Sequence, residues 1–137
     1  DDQTLKAADM IGREVQVPSD RFVLAEGGMH GSVALPMGGD VTVEIKAASG
    51  EVIKRMSFPS ESAGLKAFQW DGMLDDGEPA AVGTYTIEAR VNSGGKSQPV
   101  ETLVNARVES VSLSQHGVIL NLFGLGPVPV SAVHQIG

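Results

Sequence analysis

Residues 68–87 hold the only Trp and the only Tyr of the chain, Trp70 and Tyr85. Upstream, Leu65, Phe68 and Trp70 are bulky and apolar. Downstream of Gly83, Tyr85, Ile87, Ala89 and Val91 alternate with Thr84, Thr86, Glu88 and Arg90, the period of two that a half-buried strand requires. Between them lie Asp71, Gly72, Asp75, Asp76, Gly77, Glu78 and Pro79, which tolerate left-handed backbone, bond their own backbone or fix φ, and so favour a loop. The stretch predicts a strand, an acidic loop and a second strand. In a β-sandwich built this way the rare aromatics form the centre of the core, because each buries about 150–250 Å². The sharper alternative is an exposed sugar-stacking platform, for which a single Trp is thin support.

The rest of the chain reads the same way. Val41, Val43, Ile45 and Ala47 alternate with Thr42, Glu44 and Lys46, and Ser49-Gly50-Glu51 predicts a hairpin turn into a strand over 52–58. Short apolar runs at 10–17, 22–25, 32–35, 100–104, 106–113, 118–123 and 128–136 predict further strands, with 59–64 as a loop and 92–97 as a turn. Pro127 and Pro129 make the last run an edge or irregular element. Seventeen Gly and seven Pro between β-branched runs fit an all-β architecture. Aromatics are only 4%, so the core is expected from Val, Ile, Leu, Ala and Met within a 42% hydrophobic content. Roughly ten strands exceed the minimal seven-stranded sandwich, and a second β unit is the natural place for the surplus.

Composition also closes off chemistries. Without Cys there is neither a disulfide framework nor a thiolate metal site. The net charge is −7, and the ten Lys and Arg are scattered singly apart from Lys54-Arg55, which is the opposite of a nucleic-acid footprint. No apolar run approaches the ~20 residues that span a bilayer, so membrane insertion is not expected. The chain opens on Asp1-Asp2 without an initiating Met, so a fragment or a processed product is expected. Residues 1–8 read as a frayed end or the last turn of a helix.

Each constellation that could carry chemistry has a plainer reading. Asp71, Asp75, Asp76 and Glu78 could supply oxygen to calcium, but counting an EF-hand loop from Asp71 puts Met73 third and Asp76 sixth, where Gly is required. A solvated turn is the expected state. His30, His116 and His134 lie far apart and lack a ligand at helical zinc spacing, so they read as surface or turn residues. Gly95-Lys96-Ser97 imitates the end of a phosphate-binding loop, yet the earlier Gly would fall at Arg90 and no helix follows. Gly124-Leu125-Gly126 has Pro129 where a dinucleotide fingerprint needs its third Gly. No Gly-x-Ser-x-Gly elbow occurs, and nothing in the spacing of the 17 acids selects a catalytic pair. The expectation is a non-catalytic binding or structural module with no cofactor, no metal site and no catalytic residue.

Three segments together resemble one known family. Trp70-Asp71-Gly72, the acidic loop with Asp76-Gly77, and Gly83-Thr84-Tyr85-Thr86 are similar to the Ig-like or fibronectin-like part of bacterial flagellar hook-capping proteins, also called hook assembly scaffold or rod-modification proteins. Met10-Ile11-Gly12-Arg13-Glu14-Val15-Gln16-Val17 resembles the family's opening strand, and Gly126-Pro127-Val128-Pro129-Val130-Ser131-Ala132-Val133-His134-Gln135-Ile136 its closing segment. The matches fall in the family's order and span nearly the whole chain. Met73-Leu74 departs from the polar residues usual after the Trp-Asp-Gly motif.

The resemblance implies an arrangement that periodicity does not give: a Tudor-like β-barrel from 1–19 plus 104–137, with an Ig- or fibronectin-III-like sandwich, 20–103, inserted into it. It also implies a function. Such a protein is a non-enzymatic, homo-oligomeric scaffold, exported through the flagellar secretion apparatus to the extracellular tip of the growing hook, where it confines hook protein subunits and promotes their assembly. A secreted Ig-like adhesion or carbohydrate-binding module is the alternative from another functional class.

Overall fold

Alternation in sequence becomes alternation of burial in the computed structural model, which describes the backbone of residues 6–136 and side chains through residue 134. Along Thr84–Ser93, Tyr85, Ile87, Ala89 and Val91 are buried while Thr84, Thr86, Glu88 and Arg90 are exposed. Eleven strands occur among the described residues: β1 (Glu14–Pro18), β2 (Arg21–Val23), β3 (Met29–Leu35), β4 (Gly39–Lys46), β5 (Val52–Glu61), β6 (Gly64–Trp70), β7 (Thr84–Ser93), β8 (Lys96–Ser114), β9 (Gly117–Leu122), β10 (Gly126–Pro129) and β11 (Gln135–Ile136). A helical piece at 6–8 and a 3-10 turn, Val130–Ala132, are the helical elements among them. The expected all-β class holds. Residues 1–5, the larger part of the predicted frayed end, lie outside the described residues. The chain forms two compact units, one from the described residues through Pro18 together with those from Asn105 on, the other Ser19–Val104.

The Ser19–Val104 unit has two sheets. In one, β4 lies between β5 and β7, with Val41↔Val91, Val43↔Ala89 and Ile45↔Ile87 in register, so that buried side chains of neighbouring strands share a face. The far edge of β7 carries β2 at its start, through Phe22↔Tyr85, and β8 at its end, through a Gly94-Gly95 hairpin. In the other sheet β3 lies between β6 and β8. β8 pairs with β7 as far as Val100 and with β3 from Glu101, so one strand passes from sheet to sheet. Val41, Val43 and Ile45 are almost fully buried, each stabilising the fold by about 1.5–3 kcal/mol.

The rare aromatics lie at the centre of this core. Trp70 is 2% and Tyr85 6% exposed. Phe22 stacks on Tyr85 at 5.8 Å, and Trp70 meets both rings edge-on, 6.3 Å from Phe22 and 5.6 Å from Tyr85. The two polar atoms are satisfied locally: the indole N–H donates to the Met73 carbonyl at 3.0 Å, and the Tyr85 hydroxyl donates to the Ala81 carbonyl four residues upstream. That second bond is the tyrosine corner of Ig-like sandwiches. The turn from β2 to β3 closes tightly against the backbone of Trp70 and Asp71. Gly28 has φ +92°, and a Cβ there would lie 1.9 Å from the Trp70 carbonyl oxygen, so only Gly fits.

The other unit has the strand order β11-β1-β8-β9-β10, a nearly closed barrel. Gly12 N–H donates to the Val108 carbonyl, Val108 N–H to the Arg13 carbonyl, and His134 N–H to the Gln16 carbonyl. Its buried apolar side chains, among the described residues, include Ala7, Val15, Val17, Ala106, Val108, Val118, Leu120 and Leu122.

Several boundaries differ from expectation. The predicted strands at 100–104 and 106–113 are one strand, β8, which continues through Asn105, a polar break in the pattern whose side chain accepts a bond from the Gln16 side chain at 3.1 Å. The strand expected at 10–17 starts only at Glu14; residues 9–13 are turns closed by bonds such as Met10 N–H to Ala7 O. β5 runs past Phe58 to Glu61, through Pro59 and Ser60, where the sequence predicts a loop. Pro is tolerated on this edge strand. Ser60 takes φ +57° and its N–H is held by the Asp40 carboxylate at 2.8 Å. The closing run divides into β10, the 3-10 turn and β11, and among the described residues β10 pairs with β9 alone, the edge position its two prolines require.

Candidate functional site

Three carboxylates of the acidic loop have structural partners. Asp71 accepts the Met73 N–H at 2.9 Å and Asp76 accepts the Glu78 N–H at 2.9 Å, two turns in which a carboxylate closes on backbone two residues ahead. Leu74 N–H bonds the Glu78 carbonyl and Ala80 N–H the Gly72 carbonyl, so the acidic loop is tied by its own backbone. Asp75 points instead to Lys54, 3.3 Å away. Among the described residues no group of three acidic or imidazole side chains converges as a metal site would need.

The histidines are not brought together. His30 is exposed on β3 opposite Gln69, His116 sits in the β8–β9 hairpin with its N–H on the Ser114 hydroxyl, and His134 bonds Gln16 through backbone. Gly95-Lys96-Ser97 belongs to the hairpin between β7 and β8, with Gly94 at φ +59° and Gly95 at φ +80°, a pair of left-handed residues that matches strand twist. Trp70 is buried, so it offers no stacking face.

What remains are surfaces. The outer face of β5-β4-β7 is polar and cross-linked. Glu44 and Glu88 stand directly opposite each other, which alone would be repulsive. Arg55 engages Glu44 from one side, its Nε at 2.8 Å, and Lys46 engages Glu88. The hydrogen bond and the charge of Lys46 hold the Glu88 carboxyl below the usual glutamate range, with a smaller contribution from Arg90. Arg90 also donates to the Ser97 hydroxyl at 2.8 Å.

A second surface is the open side of the sandwich, where β5 and β6 form a cleft of about 590 Å³. Met56, Phe58 and Phe68 give it apolar lining, and His30, Lys54 and Arg55 give it basic lining. At Phe58 the Lys66 ammonium lies 5.0 Å from the ring centre and 3.8 Å from Glu61, tying β6 to β5. Sequence pattern does not single out this cleft. Its one visible signal is Lys54-Arg55, the only adjacent basic pair in the chain. A smaller hollow, lined by Leu35, Pro36, Leu65 and Val100, is apolar, with Leu65 57% exposed.

With that geometry in place, the chain can be set beside known proteins. The sequence profile of the FlgD Tudor-like domain matches residues 2–134. The basal-body rod modification protein FlgD of Escherichia coli strain K12 is 29% identical over 143 residues, covering 98% of this chain and 62% of that protein. This chain thus spans less than two thirds of such a relative's length. Among solved structures, FlgD from Xanthomonas campestris, described for hook capping essential for flagellar assembly, is 36% identical with a TM-score of 0.86, covering 98% of this chain and 99% of that one. FlgD from P. aeruginosa is 34% identical with a TM-score of 0.81, covering 93% and 98%.

Proposed function

The chain belongs to the FlgD Tudor-like family, and on that premise we propose that it is the core of a flagellar hook cap. In this reading it is a non-enzymatic scaffold that confines exported hook protein subunits at the distal tip of the growing hook and promotes their assembly. The observation that carries it is the likeness to the X. campestris hook-capping protein, which at 36% identity extends over 98% of this chain and therefore includes both compact units. Within the same reading, 1–19 with 104–137 is a Tudor-like barrel and 20–103 an Ig-like sandwich inserted into it. The full-length protein is a homo-oligomer exported through the flagellar secretion apparatus and works outside the cell.

The mechanism asked of such a cap is confinement. Holding a subunit near the growing end raises its local concentration and restricts its orientation, so the gain is in encounter geometry and not in a chemical barrier. Open sheet edges, a cross-linked polar face and an apolar hollow offer the contact area that confinement needs. The competing carbohydrate-binding reading loses its platform with the burial of Trp70.

Binding distinguishes the two. The full-length protein, immobilised and challenged with purified hook subunit and with a glycan panel, is expected to retain hook subunit. Retention of a glycan together with no retention of hook subunit would contradict the proposal.

A further inference from the structure

Most strand edges in the Ser19–Val104 unit are occupied. β4 has partners on both sides, and β3 lies between β6 and β8. Among the described residues β5 pairs with β4 alone and β6 with β3 alone, and these two open edges border the same cleft. Unpaired edges invite another strand, and proteins blunt them with cations and proline. β5 does both: Lys54 and Arg55 stand in it and Pro59 interrupts its donor row near the end.

The kind of blunting selects the partner. Among the described residues no carboxylate lines the cleft, although the chain carries a net charge of −7. A second copy of β5 would bring Lys54 and Arg55 near their own counterparts, which is repulsive. An acidic strand meets the opposite situation. Asp75, the present partner of Lys54, has a side chain 82% exposed, and such a solvent-screened pair exchanges for another carboxylate at little cost. Arg55, 62% exposed, holds Glu44 with Nε and one terminal nitrogen, and its other terminal nitrogen still has donors to give. Met56 and Phe58, on the same face of β5 as Lys54, supply apolar contact for side chains of an extended segment beyond the charged position, while Arg55 serves the opposite face.

We propose that the cleft between β5 and β6 is a docking groove for an extended acidic-apolar segment of a partner polypeptide, which adds itself as a strand along β5. The chemistry of this groove is independent of whether the partner is a hook subunit.

The test uses the full chain and three capped synthetic peptides of about ten residues, a length that matches an ordinary strand. One carries a central Glu-Glu pair flanked by Val, so that one carboxylate falls on each face of the strand, one carries Lys-Lys in its place, and the third is the Glu peptide interrupted by a central Pro. Backbone amide shifts and fluorescence anisotropy read the titrations. The Glu peptide is expected to bind and to shift amides of β5, while the Lys and Pro peptides do not. Lys54→Gln with Arg55→Gln is expected to weaken binding by about tenfold or more, as loss of paired charges does. Lys96→Gln, away from the cleft, leaves binding unchanged. No binding of the Glu peptide, equal binding of the Lys or Pro peptide, or shifts confined to strands other than β5 and β6 would overturn the proposal. So would dimerisation through β5 in the absence of peptide, which would make a second copy the occupant.

Discussion

Trp70 shows how much of a fold can hang on one side chain. It packs edge-on against Phe22 and Tyr85, and its indole N–H anchors the start of the acidic loop at Met73. Trp70→Ala is expected to cost about 3–5 kcal/mol, as large aromatic truncations in cores do, read from urea unfolding of the purified chain. Native fluorescence that is blue-shifted and shielded from quencher belongs to the same picture, and a red-shifted, easily quenched signal would refute it. Glu88 gives a prediction in pH. Its folded carboxyl titrates below the usual range because Lys46 bonds and faces it. A lowered folded pKa means that the pair adds stability above the unfolded value and loses it as pH falls through the folded one. Wild type is therefore expected to exceed Glu88→Gln modestly at neutral pH, with the two converging in strong acid and the gap shrinking in high salt. A gap that widened on acidification would contradict this.

Strands rich in alternation are legible in the sequence, and those interrupted by a single polar or kinked residue are not. β4 and β7 can be read directly because apolar and polar residues alternate without a fault. β8 reads as two strands because Asn105 breaks its apolar run, whereas in the fold the strand continues and the Asn105 side chain finds its partner in Gln16, far away in sequence. β5 reads short for a similar reason: Pro59 and Ser60 signal a loop locally, while the Asp40 carboxylate that holds Ser60 belongs to another strand. The cleft is hidden because edge status depends on pairing, which no local pattern states. The acidic loop, by contrast, behaves as its residues suggest. Replacing Asp71, Asp75 and Asp76 together by Asn is expected to change stability by no more than about 1 kcal/mol, since an Asn carbonyl accepts the same turn bonds and the Lys54 pair is exposed. Calcium is expected to leave the melting temperature unchanged. A calcium-dependent rise lost in the triple variant would reveal a cation site.

At the scale of the whole chain, composition excludes disulfide and thiolate chemistry within these 137 residues, and the order of three motifs points to the family to which the chain belongs. The division of the chain at Pro18 and Asn105 is beyond periodicity, because short strands lie on both sides of the first boundary and a single strand, β8, runs through the second. A scaffold that acts by confinement should release its client when removed, without stopping the client's export. Deletion of the gene in the source bacterium, with motility, hooks and secreted hook protein scored together, is therefore the decisive measurement. Cells are expected to be non-motile and hookless while monomeric hook protein accumulates in the medium, and the full-length gene supplied in trans is expected to reverse all three. Normal hooks in cells confirmed to lack the protein would contradict the hook-cap assignment.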